Sequence, residues 1–132
     1  MRIANRVAQA LLASPLHRIA SGSMLVVRYR GRRSGRTILT PTQFARCDDT
    51  IVIVVAHPST KSWWRNFEDD HDLDLLVQGT WVPMVGRAIV PADHPDEAAP
   101  LEAAYAQRFP RAARQLGRED RDRPLFVWCR PR

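Results

Sequence analysis

The sequence predicts a small, mainly β fold in which mostly antiparallel strands close into a barrel, with short helices at its margins. Three observations carry this. Strand-like segments follow one another with little helix between them, about six in all, as in antiparallel barrels. The run Thr50 to Ala56 is almost purely β-branched, as in a strand covered on both faces or set in a barrel wall. Regular alternation of strands with helices, which a parallel dinucleotide-binding sheet requires, is absent.

Residues 2–13 carry Ile3, Val7, Ala10 and Leu11 at helical spacing and predict an amphipathic helix. Ser14-Pro15 ends it and Ser21-Gly22-Ser23 is a linker. Met24 to Arg30 reads as a strand, followed by the loop Gly31-Arg32-Arg33-Ser34-Gly35-Arg36. Thr37 to Ala45 is a second strand, and Pro41 inside it predicts an edge position or a bulge. The turn Arg46 to Asp49 joins it to the β-branched strand. A short helix is expected over Lys61 to Glu68, capped by Ser59 or Thr60. Asp72 to Val77 and Trp81 to Val90 form a hairpin through Gln78-Gly79-Thr80, with Pro83 again marking a bulge or an edge. Asp93 is placed to cap a helix over Pro95 to Gln107, Phe109-Pro110 interrupts it, and Arg111 to Leu116 adds a turn. Gly117 to Arg123 is a charged loop and Pro124 to Cys129 the last strand.

The length fits one domain, with 1–22 as helix and linker and 24–132 as the barrel. No apolar run approaches the ~20 residues of a membrane span, so a cytoplasmic protein is expected, with peripheral membrane contact through the first helix as the alternative. Cys47 and Cys129 are too few and too far apart for a disulfide framework, so free thiols are expected. The four histidines lack metal-ligand spacing. His71, in Glu68-Asp69-Asp70-His71-Asp72, has two readings, a cluster able to bind a cation and, preferred, a solvated acidic turn.

The formal charge is +6 and the only lysine is Lys61. Such basicity suits nucleic acid, anionic lipid or a phosphorylated ligand, and position has to decide between them. The loop 31–36 has the means to hold an anion. Its glycines let the backbone turn tightly and approach a ligand, and backbone N–H groups in such a turn form a nest. Arg32, Arg33 and Arg36 supply forked donors and Ser34 a hydroxyl. The competing reading is a solvated basic hairpin turn. Thr60-Lys61-Ser62-Trp63-Trp64-Arg65-Asn66-Phe67 has two readings as well. One is a core-packing helix; the other sets Lys61 at a helix start and, with the arginine loop, around one anionic ligand. A nucleic-acid binder would interleave aromatics with arginines along one face, whereas Trp63 and Trp64 sit beside Asn66 and Glu68.

Gly31 to Arg36, Thr40-Pro41, the strand ending at Ala56, and Lys61 followed by Trp63-Trp64-Arg65-Asn66-Phe67 together resemble the deazaflavin-dependent nitroreductase family. The likeness runs from about Leu25 to Val90 and resumes from Tyr105 to Cys129. It implies a split β-barrel that binds coenzyme F420, with FMN as second choice, in an actinobacterial oxidoreductase. The implied cofactor contacts are Arg32, Arg33, Ser34, Gly35 and Arg36, with Lys61, at the phosphate and acidic tail. Thr40, Pro41, Val55, Ala56 and His57, with Trp64, would lie toward the ring. The chemistry would be the cofactor's: a hydride passes to a quinone, an enone or a nitroaromatic, and the protein orients the reactants. No catalytic side chain is singled out. The alternative is a non-catalytic split barrel that binds a flavin, haem or lipid-like ligand. The expected partner is a small-molecule electron acceptor, not nucleic acid, in a monomer or homodimer. Ile38 stands where the family often has an arginine, for which Arg36 is the available substitute.

Overall fold

A computed structural model describes residues 24–116 and 123–132. The expected helix over 2–13 and its membrane contact lie outside the described residues, as does the loop 117–122. Six strands, β1 (Met24–Arg30), β2 (Thr37–Cys47), β3 (Thr50–Val55), β4 (His71–Val77), β5 (Thr80–Ile89) and β6 (Leu125–Pro131), close in the order β1-β2-β3-β6-β5-β4. Every neighbouring pair is antiparallel, so the barrel expected from the sequence is present.

Alternation decides what fills the barrel. Leu25, Val27 and Tyr29 of β1 point inward with Ile51, Ile53 and Val55 of β3, Leu73 and Leu75 of β4, and Leu125 and Val127 of β6. The unbroken apolar run of β3 has a second cause. Its other face, Val52 and Val54, is covered by α1 (Pro95–Arg108) through Ala98, Leu101 and Tyr105, with Ile89 and Phe126 beside them. A strand covered on both sides has no place for the polar half of an alternating pattern.

Register explains both strand prolines. β3 pairs with β2 only from Gln43 onward, so Pro41, at an unbroken position of the β1 pairing, has no strand partner on its other side. Pro83 pairs with Asp74 of β4, one residue before β6 pairing begins at Met84. Both are edge positions without a bulge, where a missing N–H breaks no ladder. Between β4 and β5, Gln78 and Gly79 both take positive φ (49° and 81°), the primed turn that suits strand twist.

Two helical expectations need correction. Asp93 does not cap α1: His94 holds the N-cap position, without a side-chain cap bond, and Pro95 supplies the preset φ of the first turn. In place of one helix over Lys61 to Glu68 there is a single 3₁₀ turn, Trp63–Phe67, preceded by another at Pro58–Thr60. Thr60 does not cap forward; its hydroxyl donates 2.8 Å back to the His57 carbonyl. The second turn stops one end of the barrel. Phe67 is fully buried and packs edge-on against Tyr29 at 5.2 Å, with Trp63 against both. Gly86 of β5 makes the room, because a Cβ there would lie 2.5 Å from Leu73 Cδ2 and 3.1 Å from Phe67 Cδ1. Among the described residues no helix is long and apolar enough to cross a membrane.

Candidate functional site

The loop between β1 and β2 is a closed ring. Gly31 N–H donates to the Arg36 carbonyl at 2.9 Å and Gly35 N–H to the Gly31 carbonyl at 2.8 Å. Arg36 N–H donates to Ser34 Oγ at 3.2 Å. Gly35 takes φ +67°, a conformation glycine adopts freely. Its N–H is committed to the ring, so its part is to shape the loop rather than to donate to a ligand. The N–H groups of Arg33 and Ser34 have no partner among the described residues, and the nest expected from the sequence reduces to these two.

The ring is tied down from outside. Asn66, in the Trp63–Phe67 turn, accepts the Arg32 N–H at 2.9 Å on Oδ1 and donates from Nδ2 to the Trp63 carbonyl at 2.7 Å. His71 Nε2 meets the Arg30 carbonyl at 2.7 Å, so that nitrogen carries the proton, and its ring packs edge-on to Phe67. His71 therefore starts β4 and buttresses the loop; it is not part of a solvated turn. The acids around it are also engaged. Arg28 and Arg132 bind Asp74 at 3.1 and 2.7 Å, and Arg130 binds Asp70 at 2.7 Å. No group of His, Cys, Asp and Glu able to hold a metal occurs among the described residues.

Arg32, Arg33 and Arg36 are all exposed. Arg32 faces Glu68 at 3.6 Å, whereas Arg33 and Arg36 have no acidic partner among the described residues. Ile38 turns inward and packs on the barrel core, 3.3 Å from where a Cβ of Gly31 would lie. An arginine side chain at this position would be directed at that core, and Arg36 is the exposed cation nearest in sequence.

Extending the β2–β3 register past Val54 opposite Gln43 would set Val55 against Thr42 and Ala56 against Pro41. The chain leaves this path at His57, whose φ of 50° is left-handed. Residues 37–41 of β2 thus keep an unpaired edge beside the segment 56–64. That segment is closed upon itself: Lys61 Nζ donates to the Ala56 carbonyl, and Trp64 Nε1 donates to the carbonyls of Pro58 and Lys61 at 3.1 and 3.0 Å. Arg65 lies 4.7 Å over the Trp64 ring.

Several expected contacts change meaning here. Lys61 is not at a helix start; it closes the Pro58–Thr60 turn, and its ammonium donates to the Ala56 carbonyl of its own segment. Val55 is 1% exposed and its side chain belongs to the core. Thr40, Pro41, Ala56, His57 and Trp64 keep some exposure along the unpaired edge. Thr40 points inward toward the Tyr29 hydroxyl, which is buried and makes no hydrogen bond of good geometry. Burial pushes the Tyr29 phenol above its ordinary value, and Thr40 offsets this only in part.

Asn66, Glu68 and His71 are the site residues the sequence reading left without a role. Asn66 stood inside the quoted motif, but its partner is a backbone N–H 34 residues away. Elsewhere, a groove of about 860 Å³ beside the loop is lined by Arg30, Thr37 and His71 as well as the paired acids of β4. Cys47 and Cys129 are free thiols, as expected, and burial pushes the Cys129 thiol far up, which makes it inert.

Comparison with known proteins bears on this geometry. Residues 1–129 match the family model described as F420H(2)-dependent quinone reductase. No curated protein matches the chain. Among solved structures, an F420-H2 dependent reductase superposes with a TM-score of 0.62 at 16% identity, covering 80% of this chain and 93% of its own. A domain-swapped dimer does so with 0.60 at 14%, covering 91% and 98%. A protein of unknown function from Agrobacterium tumefaciens does so with 0.54 at 21%, covering 89% and 55%. At these identities the likeness is one of fold.

Proposed function

The chain belongs to the F420H(2)-dependent quinone reductase family, and from that membership we propose that it reduces a quinone with coenzyme F420 held at the arginine loop. It is a deazaflavin-dependent reductase with coenzyme F420 as its cofactor. The acceptor and the residues that bind are the parts of the reading that go further.

The carrying observation is the clamped loop, in which Arg33 and Arg36 are exposed and face no acid among the described residues. A coenzyme with a phosphodiester and a polyglutamate tail, as the family resemblance implies, needs a fixed cationic cradle, and these residues fit that need. Arg33 and Arg36 would each offer a fork of donors to phosphate or carboxylate oxygens. The free N–H groups of Arg33 and Ser34 would add two directed bonds. Because Asn66 holds the Arg32 backbone, the loop need not be ordered at the moment of binding, and less ordering entropy opposes the complex. The unpaired edge of β2 at Thr40 and Pro41, with Ala56 and His57, would carry the ring. Trp64, fixed by two hydrogen bonds, would keep water from that side.

When bound, the reduced deazaflavin supplies the hydride. The chain's own part is to bind, orient and exclude water. The family description favours a quinone over the enone and nitroaromatic acceptors.

Titrating oxidised F420 and then FMN against the full chain by fluorescence tests the reading. F420 should bind tightly and FMN weakly, and an Arg32→Ala/Arg33→Ala double variant should lose F420 by at least tenfold, about 1.4 kcal/mol. Preference for FMN, or an unaffected double variant, would sink it. Turnover of a quinone in preference to a nitroaromatic by the reduced holoenzyme tests the acceptor.

A further inference from the structure

Among the described residues, Glu68 is the acid that faces the arginine loop. Its Oε1 lies 3.6 Å from Arg32 and 3.7 Å from Arg65, so two guanidinium groups share one carboxylate oxygen. The two arginines differ in what else holds them. Arg65 is stacked on Trp64. The Arg32 side chain is exposed, while its backbone is pinned by Asn66, so the guanidinium swings without moving the loop. A ligand anion can therefore take Arg32 and leave Glu68 still paired with Arg65.

We propose that Glu68 is a tethered competitor for Arg32 and sets the charge a ligand must carry to bind there. The proposal rests on the arginine loop being the anion site described above. Ion pairs at half-exposed positions are weak, and Glu68 is 46% exposed in its pairs, so the competitor is easily displaced by several charges acting together and poorly by one. A phosphate with a run of carboxylates meets that condition. A singly charged metabolite, even at higher concentration, meets a site whose first guanidinium is engaged. Glu68 is thus a specificity-determining residue for polyanionic ligands, and Arg65 is the residue that keeps it from being stranded when displaced.

The test uses the full chain and two probes, coenzyme F420 by fluorescence and inorganic pyrophosphate by calorimetry. Glu68→Gln should bind both about two- to fivefold more tightly than wild type, the range of an exposed ion pair. The gain should vanish in an Arg32→Ala background. Arg65→Gln should weaken both probes in wild type but not in the Glu68→Gln background, which separates a counter-ion from a direct ligand contact. Unchanged or weaker binding by Glu68→Gln, or a gain that survives Arg32→Ala, overturns the proposal. If pyrophosphate follows the expected pattern and F420 does not bind, the cofactor reading fails and the role of Glu68 stands. If F420 binds wild type and Glu68→Gln tightens neither probe, the proposal fails alone. Binding of neither probe to wild type overturns both.

Discussion

Replacing Asn66 by alanine should uncouple the arginine loop from the barrel plug. The side chain makes two hydrogen bonds, 2.9 Å from the Arg32 N–H and 2.7 Å to the Trp63 carbonyl. Each is worth about 0.5–1.5 kcal/mol net, and the bond to Arg32 falls at the low end because that N–H reaches water once released. The loss should total about 1–2 kcal/mol, which lowers Tm by about 4–8 °C in a domain of this size. Binding should suffer separately. A loop that must be re-ordered by its ligand charges that cost to the complex, about three- to tenfold in Kd. Thermal unfolding reads the first quantity and F420 titration the second. A variant with the expected fall in Tm but a Kd within twofold of wild type would refute the link between clamp and ligand. An unchanged Tm would mean that the bridge from Asn66 does not hold the loop in solution.

Gly86→Ala should cost about 1–3 kcal/mol in denaturant unfolding, since its Cβ would press 2.5 Å from Leu73 Cδ2, 3.0 Å from Val127 Cγ1 and 3.1 Å from Phe67 Cδ1. Gly35→Ala meets no atom within 4 Å but must hold φ +67°, so it should lose about 1–2 kcal/mol by strain alone, and a stability equal to wild type would contradict the loop conformation. Tyr29→Phe should be neutral or stabilising by up to about 1 kcal/mol, because the hydroxyl removed has no partner. The same variant should flatten the alkaline stability curve. The folded Tyr29 titrates above its ordinary value of 10.0, so its contribution is complete below that pH and is lost as pH rises through the higher folded value. Tyr105 and Cys129, also raised by burial, should continue to contribute to that slope.

The fold was largely legible because its signals are local. The β-branched run of β3, the prolines at 41 and 83 and the Gln78-Gly79 turn each state their own conformation through backbone sterics and burial. The helix expected over Lys61 to Glu68 failed for the opposite reason. Trp63 and Phe67 are drawn into the barrel mouth beside Tyr29, and the burial of these rings outweighs the small preference for a continuous α-helical turn. The helix-start position expected for Lys61 failed with it: Lys61 closes the Pro58–Thr60 turn, and its ammonium donates to the Ala56 carbonyl.

The sequence by itself determined a basic glycine-bounded loop, the six strand segments and, through a constellation of short motifs, the deazaflavin-dependent family. These depend on residue type and near-neighbour spacing, which a chain carries openly. Only the tertiary structure decided what the loop is tied to. Asn66 and Glu68 reach it across more than thirty residues of chain, and the barrel closure that brings them there is set by register between strands distant in sequence. Through-space contacts of that kind leave no periodicity to read. Which of the loop's N–H groups close the ring and which is held by Asn66 is a property of that folded geometry alone.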